Sequence, residues 1–412
     1  MKRWLLLISL CFWSLGADAL ELRVTGQILG EIRPCGCEPG QEKGGIERLA
    51  TYLKEHLGKD RLWVDLGNYA VEPNPQGQLK NALFLKLFRQ QRLFAMLPGP
   101  AEFSMGKRGI AKNRLPYLLT NHKGELAFTE RIKHRGGWKF FGYLSPELLS
   151  QGTHKTQLLD GPQALIKRVR GLKSAEWKNL LLFRGNAAEL QQLTDSGLFD
   201  QILVANQAIL EEKQTFEETA GGKKWPKPPI KGQGVLRLDL GAVQQKPTID
   251  WLDNTVANDS SWAKDFKDYD KKVEGLFMAF LESQSAKPDK RVYKGSAYCV
   301  NCHPKAGKAW ADSDHSKAFS VLEAAGRQYD PDCIVCHVQG MRKGGFLSKE
   351  LTPELQNVGC ENCHGVVAEA HAQDAEFKKN RKPVTERVCT TCHQGSHSPK
   401  FRFETYYPKI QH

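Results

Sequence analysis

One pentapeptide pattern, Cys-x-x-Cys-His, occurs four times in the last 114 residues of this 412-residue chain, and it constrains the fold more than any other feature. The copies are Cys299-Val300-Asn301-Cys302-His303, Cys333-Ile334-Val335-Cys336-His337, Cys360-Glu361-Asn362-Cys363-His364 and Cys389-Thr390-Thr391-Cys392-His393. The pattern is that of c-type haem attachment. Two thiols add to the two vinyl groups of a haem as thioethers, and the two-residue spacer brings both sulfurs to neighbouring porphyrin edges. The next imidazole then reaches the iron from the proximal side. Paired CxxC units also build zinc ribbons, and eight cysteines in an exported chain could form four disulfides. Neither alternative requires a histidine directly after the second cysteine, and every copy has one. The expected cofactor is therefore covalent haem c, four per chain. Cys299, Cys302, Cys333, Cys336, Cys360, Cys363, Cys389 and Cys392 are the expected thioether donors, and His303, His337, His364 and His393 the proximal ligands.

A six-coordinate iron needs a second axial ligand. Outside the motifs, the segment 291–412 holds His315, His371, His397 and His412, one for each expected haem, and these are the candidate distal ligands. Met341 is the only methionine there that could offer a thioether instead. Bis-histidine iron sits at lower potential than His/Met iron, which suits a low-potential electron relay. His315 opens a helical run expected over 312–326, beside Trp310 and Phe319. Four macrocycles on so short a segment must form much of its core and lie close together.

The rest of the chain divides around this segment. Lys2 and Arg3 precede an apolar run at 4–16, and Ala17-Asp18-Ala19 supplies an A-x-A site, so 1–19 reads as a secretory signal peptide. The run is too short for a membrane-spanning helix, and Cys11 follows a large leucine, which argues against lipoprotein processing. The expected location is periplasmic or otherwise exported, with no transmembrane anchor after processing. From 20 to 258, strand-like runs (20–25, 62–65, 180–183, 201–204, 235–240) alternate with helical patterns (45–56, 79–89, 162–172), which argues for an α/β layered sandwich. Antiparallel pairs expected at 129–144, around Gly136-Gly137, and at 235–252 make the sheet mixed. A helical linker at 259–290, with its helix over 261–284, leads to a mainly helical multihaem module at 291–412.

The C-terminal segment resembles the tetrahaem cytochrome c family typified by the electron acceptor of hydroxylamine oxidoreductase. The resemblance rests on Gly295-Ser296-Ala297-Tyr298-Cys299, Asp314-His315-Ser316-Lys317-Ala318-Phe319, Cys360-Glu361-Asn362-Cys363-His364-Gly365 with His371 beyond, and His397-Ser398-Pro399-Lys400-Phe401. It implies a haem-stacked electron-transfer module in which one haem can lack a distal ligand. The N-terminal part resembles the metallophosphatase domain of exported 5′-nucleotidases, whose resemblance implies a two-metal site. Four stretches align with the family's metal motifs: Thr25-Gly26-Gln27-Ile28-Leu29-Gly30, Asp65-Leu66-Gly67-Asn68, Gly99-Pro100-Ala101-Glu102-Phe103 and Val204-Ala205-Asn206-Gln207-Ala208. Glycines and hydrophobic anchors of the family survive there while the Asp, Asn and His that grip the metals do not, so this domain is expected to lack phosphatase activity. Pro34-Cys35-Gly36-Cys37 resembles a Cys-Gly-Cys element of such domains; Cys35 and Cys37 are too close for an unstrained mutual disulfide. A metal chelate, a labile redox pair and an inert loop remain open for them.

The formal charge is +13. Between 291 and 412 there are 17 Lys and Arg against 13 Asp and Glu, so most of the excess lies upstream. Haem propionates offset part of the rest. The basicity thus points to a docking surface for redox partner proteins, with acidic carriers and membrane-bound, quinone-linked complexes as the candidates. No nucleic-acid or phosphate-cradling motif is present, and oligomeric state is not legible. The main reading is an electron carrier rather than a catalyst. The alternatives are an oxidoreductase with one open haem acting on a small nitrogen or sulfur compound, and a phosphoesterase with a cytochrome tail.

Overall fold

The computed structural model describes residues 20–34, 42–72, 74–123, 129–149, 159–172, 174–209, 213–242, 246–285, 293–366, 371, 383–393, 398 and 401–412. The expected signal peptide with Cys11, the pair Cys35 and Cys37, and His397 lie outside the described residues.

Thirteen strands are described: β1 (Glu21–Thr25), β2 (Arg61–Asp65), β3 (Ala95–Met96), β4 (Tyr117–Leu118), β5 (Thr129–Glu130), β6 (Lys133–Arg135), β7 (Trp138–Leu144), β8 (Lys178–Arg184), β9 (Gln201–Val204), β10 (Glu217–Ala220), β11 (Lys223–Pro226), β12 (Gly234–Asp239) and β13 (Thr248–Trp251). Seven form one sheet in the order β13-β12-β1-β2-β3-β4-β5, with β1 to β5 parallel and β12 and β13 added antiparallel at one edge. A four-stranded sheet runs β6-β7-β8-β9, antiparallel at β6-β7 and parallel after it. The β6-β7 turn is Gly136-Gly137, both at positive φ (53° and 76°), where a side chain would be strained. Both sheets are mixed.

Period-two alternation decides the layers. On the smaller sheet, Phe140, Leu180, Leu182 and Leu203 join the core of the seven-stranded sheet. Their neighbours Phe141, Leu181, Phe183 and Ile202 pack with Leu165, Val169, Leu190 and Leu193 of the helices Pro162–Arg170 and Ala187–Asp195. The helices Ile46–His56 and Pro75–Gln90 bury Leu49, Leu53, Phe84 and Leu87 in the larger core. The result is an α/β sandwich of two facing sheets with helical layers. Local signals start its helices: Pro75 occupies the first turn, and Asn74 caps it by accepting from the Gly77 N–H.

The helix Ala263–Ser285 bridges two cores along one stripe. Trp262, just ahead of it, and its own Phe266, Tyr269 and Val273 are buried in the N-terminal core. Phe277 and Leu281, continuing the same spacing, are buried with Phe319, Leu322, Ile334 and Phe346 beyond it. Other contacts join the parts: Gln76 Nε2 donates to Asp330 Oδ1 (3.0 Å), Lys80 pairs with Asp332, and Arg33 forks onto Asp270 (2.6 and 2.7 Å).

From 293 onward the described α-helices are 4 to 8 residues long, and the only strand-like pairing described is a bridge between Val338 and Gln356. The helical run expected over 312–326 is split. Asp312 caps the helix Pro304–Ala311, Ser313 turns extended (φ −90°, ψ 158°), and a 3-10 turn Asp314–Lys317 precedes the helix Ala318–Ala324.

Candidate functional sites

Each Cys-x-x-Cys-His motif is a single helical turn. The second and third lie wholly within the helices Pro331–His337 and Cys360–His364. In the first and fourth, the histidine N–H closes the turn onto the first cysteine's carbonyl, His303 to Cys299 (3.0 Å) and His393 to Cys389 (2.9 Å). Residues i, i+3 and i+4 of a helix share a face, so both thiols and the imidazole of each motif project together. Asp330 starts the second turn by accepting from the Asp332 N–H, with Pro331 in the first turn.

The spacer residues of the third motif hold the module together. The buried Glu361 carboxylate accepts from the backbone N–H of Lys294 (2.9 Å) and Gly295 (2.9 Å), directly ahead of the first motif. Asn362 donates to Val338 O (3.1 Å), just past the second motif, and Ser296 Oγ accepts from the Cys360 N–H (3.2 Å). Thiols of different motifs also meet, Cys299 with Cys360 and Cys336 with Cys392. The eight motif cysteines form no disulfide with one another. Burial pushes the Cys333 thiol up to about 12 and those of Cys299 and Cys363 to about 11. At these three positions burial penalises a thiolate and leaves a neutral thioether untouched, whereas the hydrogen bond with Cys336 pulls the Cys392 thiol down to about 6. Among the described residues, no three His, Cys, Asp or Glu side chains gather as a metal cluster.

The histidines meet in pairs. Ring centroids lie 6.4 Å apart for His303 and His371, 6.0 Å for His315 and His393, and 5.7 Å for His364 and His412. Metal–imidazole bonds of roughly 2.0 Å on either side of one ion place the two centroids about 6 Å apart. Hydrogen bonds behind the rings fix the tautomers. His337 Nδ1 lies 2.6 Å from Ala318 O and His412 Nδ1 3.0 Å from Ile410 O. A carbonyl only accepts, so the proton is on Nδ1 and the lone pair on Nε2. His393 Nδ1 lies 2.9 Å from Ser398 Oγ. Burial holds His315 and His393 below the usual imidazole value, favouring the neutral, ligating form. The residues present fit haem c.

The four metallophosphatase-aligned stretches also converge, at the C-terminal ends of β1, β2, β3 and β9, where α/β sheets form ligand crevices. Asn68 Nδ2 donates to Gln27 Oε1 (2.9 Å), Asn68 Oδ1 accepts from the Ala101 N–H (3.0 Å), and Gln27 Nε2 donates to Ala208 O (3.3 Å). Gly67, at φ 75°, crosses so near that a Cβ would lie 2.2 Å from Leu97 O. Leu29, Pro100 and Ala101 offer no side-chain donor atom, and no metal-binding group forms among the described residues. A two-metal centre does not fit.

Comparison with known proteins agrees region by region. Residues 298–365 match the family described as cytochrome c554 and c-prime. Over 89 residues the chain is 34% identical to cytochrome c-554 of Nitrosomonas europaea, covering 18% of this chain and 38% of that protein. The C-terminal segment is similar to cytochrome c554. Among solved structures, a 5′-nucleotidase precursor from Thermus thermophilus superposes with a TM-score of 0.50 at 16% identity, over 63% of this chain and 59% of that one. The calcineurin-like phosphoesterase YfkN of Bacillus subtilis gives 0.48 at 16% identity, over 61% and 97%. The chain therefore spans less than two thirds of both the cytochrome and the nucleotidase. The N-terminal domain has the metallophosphatase-like fold.

Proposed function

We propose that this chain is an exported multihaem c-type cytochrome that holds four covalent haem c groups and relays electrons between redox partners. The observation that carries the reading is the approach of three motif histidines to three histidines from outside the motifs. His303 with His371, His364 with His412 and His393 with His315 would each hold one iron. When bound, the haems supply reversible one-electron chemistry. The chain's own residues do the rest: thioethers prevent loss of the group, Ala318, Ile410 and Ser398 orient imidazoles, and Glu361 and Asn362 keep the motifs adjacent. A haemochrome assay with intact-mass analysis of the purified protein tests this. Four haems per chain are expected; two or fewer would overturn it.

The N-terminal domain is a docking or structural module in this reading. A cleft of about 830 Å³ at the start of β2 is lined by Lys54, Lys59, Arg61, Arg92, Lys133 and Arg135, with no acidic residue in its lining. Half-buried Leu57, Leu62 and Phe94 lie among them. That charge suits an acidic electron carrier. Among the described residues no helix is long and apolar enough to cross a membrane. A second reading, with one open haem acting on a small nitrogen or sulfur compound, rests on the resemblance of the C-terminal segment to the cytochrome c554 and c-prime family. A high-spin signal that shifts on adding cyanide would favour it.

A further inference from the structure

The crevice that cannot hold metals contains a cation of its own. Arg184, the last residue of β8, is 1% exposed, and its guanidinium reaches into the convergence of the β1, β2 and β3 loops. Its Nη1 donates to Gln27 Oε1 (2.9 Å), and its Nη2 donates to Leu66 O (2.8 Å) and, at longer range, Gly67 O (3.4 Å). Two fully buried carboxylates, Glu102 and Asp65, lie near enough to favour its charge. A buried cation without a balancing charge is strongly destabilising.

The potential ligands around it are already engaged. Glu102 Oε1 accepts from the N–H groups of Tyr69 (3.0 Å) and Ala70 (3.1 Å), and Oε2 from those of Asn68 (2.9 Å) and Gly99 (2.7 Å). A carboxylate has about four lone-pair sites, so none is left for an ion. Asp65 accepts from Thr25 Oγ1 (2.5 Å) and the Gly67 N–H (2.7 Å). Gln27 Oε1 receives both Asn68 Nδ2 and Arg184 Nη1. The loops that should wrap a metal pair are instead closed on one another and on a guanidinium.

We propose that Arg184 is a resident cation standing in for the metals of this fold, so that the N-terminal domain folds and persists without a divalent ion. This deepens the structural reading of that domain and is independent of the haem reading, since its tests address non-haem metal and the N-terminal melting transition. In the purified haem-loaded protein, elemental analysis should find no stoichiometric Mn or Zn and no iron beyond the haem iron. The N-terminal transition in calorimetry should not move on adding EDTA, Mn²⁺ or Zn²⁺. Arg184→Met should lower that transition by roughly 10 °C, since it strands two buried carboxylates. Adding Asp65→Asn to Arg184→Met should recover part of the loss, because one stranded charge is gone, whereas two independent packing defects would add. If Arg184→Met fails to fold, Arg184→Gln, which removes the charge but keeps a polar side chain in its place, gives the same comparison with and without Asp65→Asn. One equivalent of non-haem metal in the native protein that Asp65→Asn removes would overturn the proposal, and so would strictly additive losses in the double variant.

Discussion

The two halves of the molecule preserve opposite things. The N-terminal domain keeps a regular architecture, with two sheets, alternating faces and capped helices, while the polar residues at its crevice have changed identity. The C-terminal segment carries the full Cys-x-x-Cys-His pattern four times on helices of no more than eight residues. A sheet core is specified redundantly by many apolar side chains, so its fold survives loss of the site. A segment whose core is to be a set of macrocycles depends on a few residues in fixed spacing, so its site cannot drift without loss of the fold.

Substitutions should divide along that line. The largest effect is expected from Cys360→Ala with Cys363→Ala, which removes the third attachment point on either side of the Glu361 and Asn362 contacts to the first two motifs. Haem content should fall by one at least, with loss of the C-terminal module's resistance to protease, whereas Asn68→Ala in the crevice should leave haem content unchanged. Next is Glu361→Ala. It strands the N–H groups of Lys294 and Gly295, and buried unsatisfied donors cost roughly 1–3 kcal/mol each; denaturant unfolding followed in the Soret band reads this directly. A smaller effect belongs to the join between halves. Lys80→Met removes the partner of Asp332, whose side chain is 55% exposed, so solvent screening limits the cost to about 1 kcal/mol.

The same join predicts a pH dependence. Burial would raise Asp330, but Arg327, the Asp332 N–H and Lys80 together hold it below the usual carboxylate range. The unfolded chain therefore binds this proton more readily, so the contribution is complete above about pH 4 and is lost as pH falls through the folded value. Burial pulls Lys80 down, yet Asp332 more than reverses this and leaves it raised, so its contribution disappears only as pH rises through its folded value. Acid should separate the two halves before either loses its core. Coincident loss of both halves at every pH would show that the bridging helix, not the ion pairs, sets the coupling.

How legible this was in the sequence follows the same division. Alternation announces β1, unbroken apolar runs announce β8 and β9, and 3.6 patterns announce the helices packed on them, because a strand buried on both faces is apolar throughout and a helix buried on one face is apolar at every third or fourth residue. The two-residue strands β3, β4 and β5 leave no such trace, and they exist because parallel neighbours extend to meet them. In the C-terminal segment the motifs announce chemistry at once, but which histidine meets which depends on tertiary packing that no local spacing encodes. Glu361 and Asn362 look like arbitrary spacer residues until their backbone partners 24 to 67 positions away are known. Arg184 and Lys80 are equally silent: an arginine ending a strand and a lysine on a helix usually face solvent, and only burial distinguishes these two.

The account stands on the histidine pairs, and spin state reads them most directly. Electron paramagnetic resonance of the oxidised protein should show at least three low-spin haems. His371→Ala, His412→Ala and His315→Ala should each convert one low-spin haem to high-spin while haem content stays the same. Unchanged low-spin spectra in all three variants would contradict the pairing and the relay built on it.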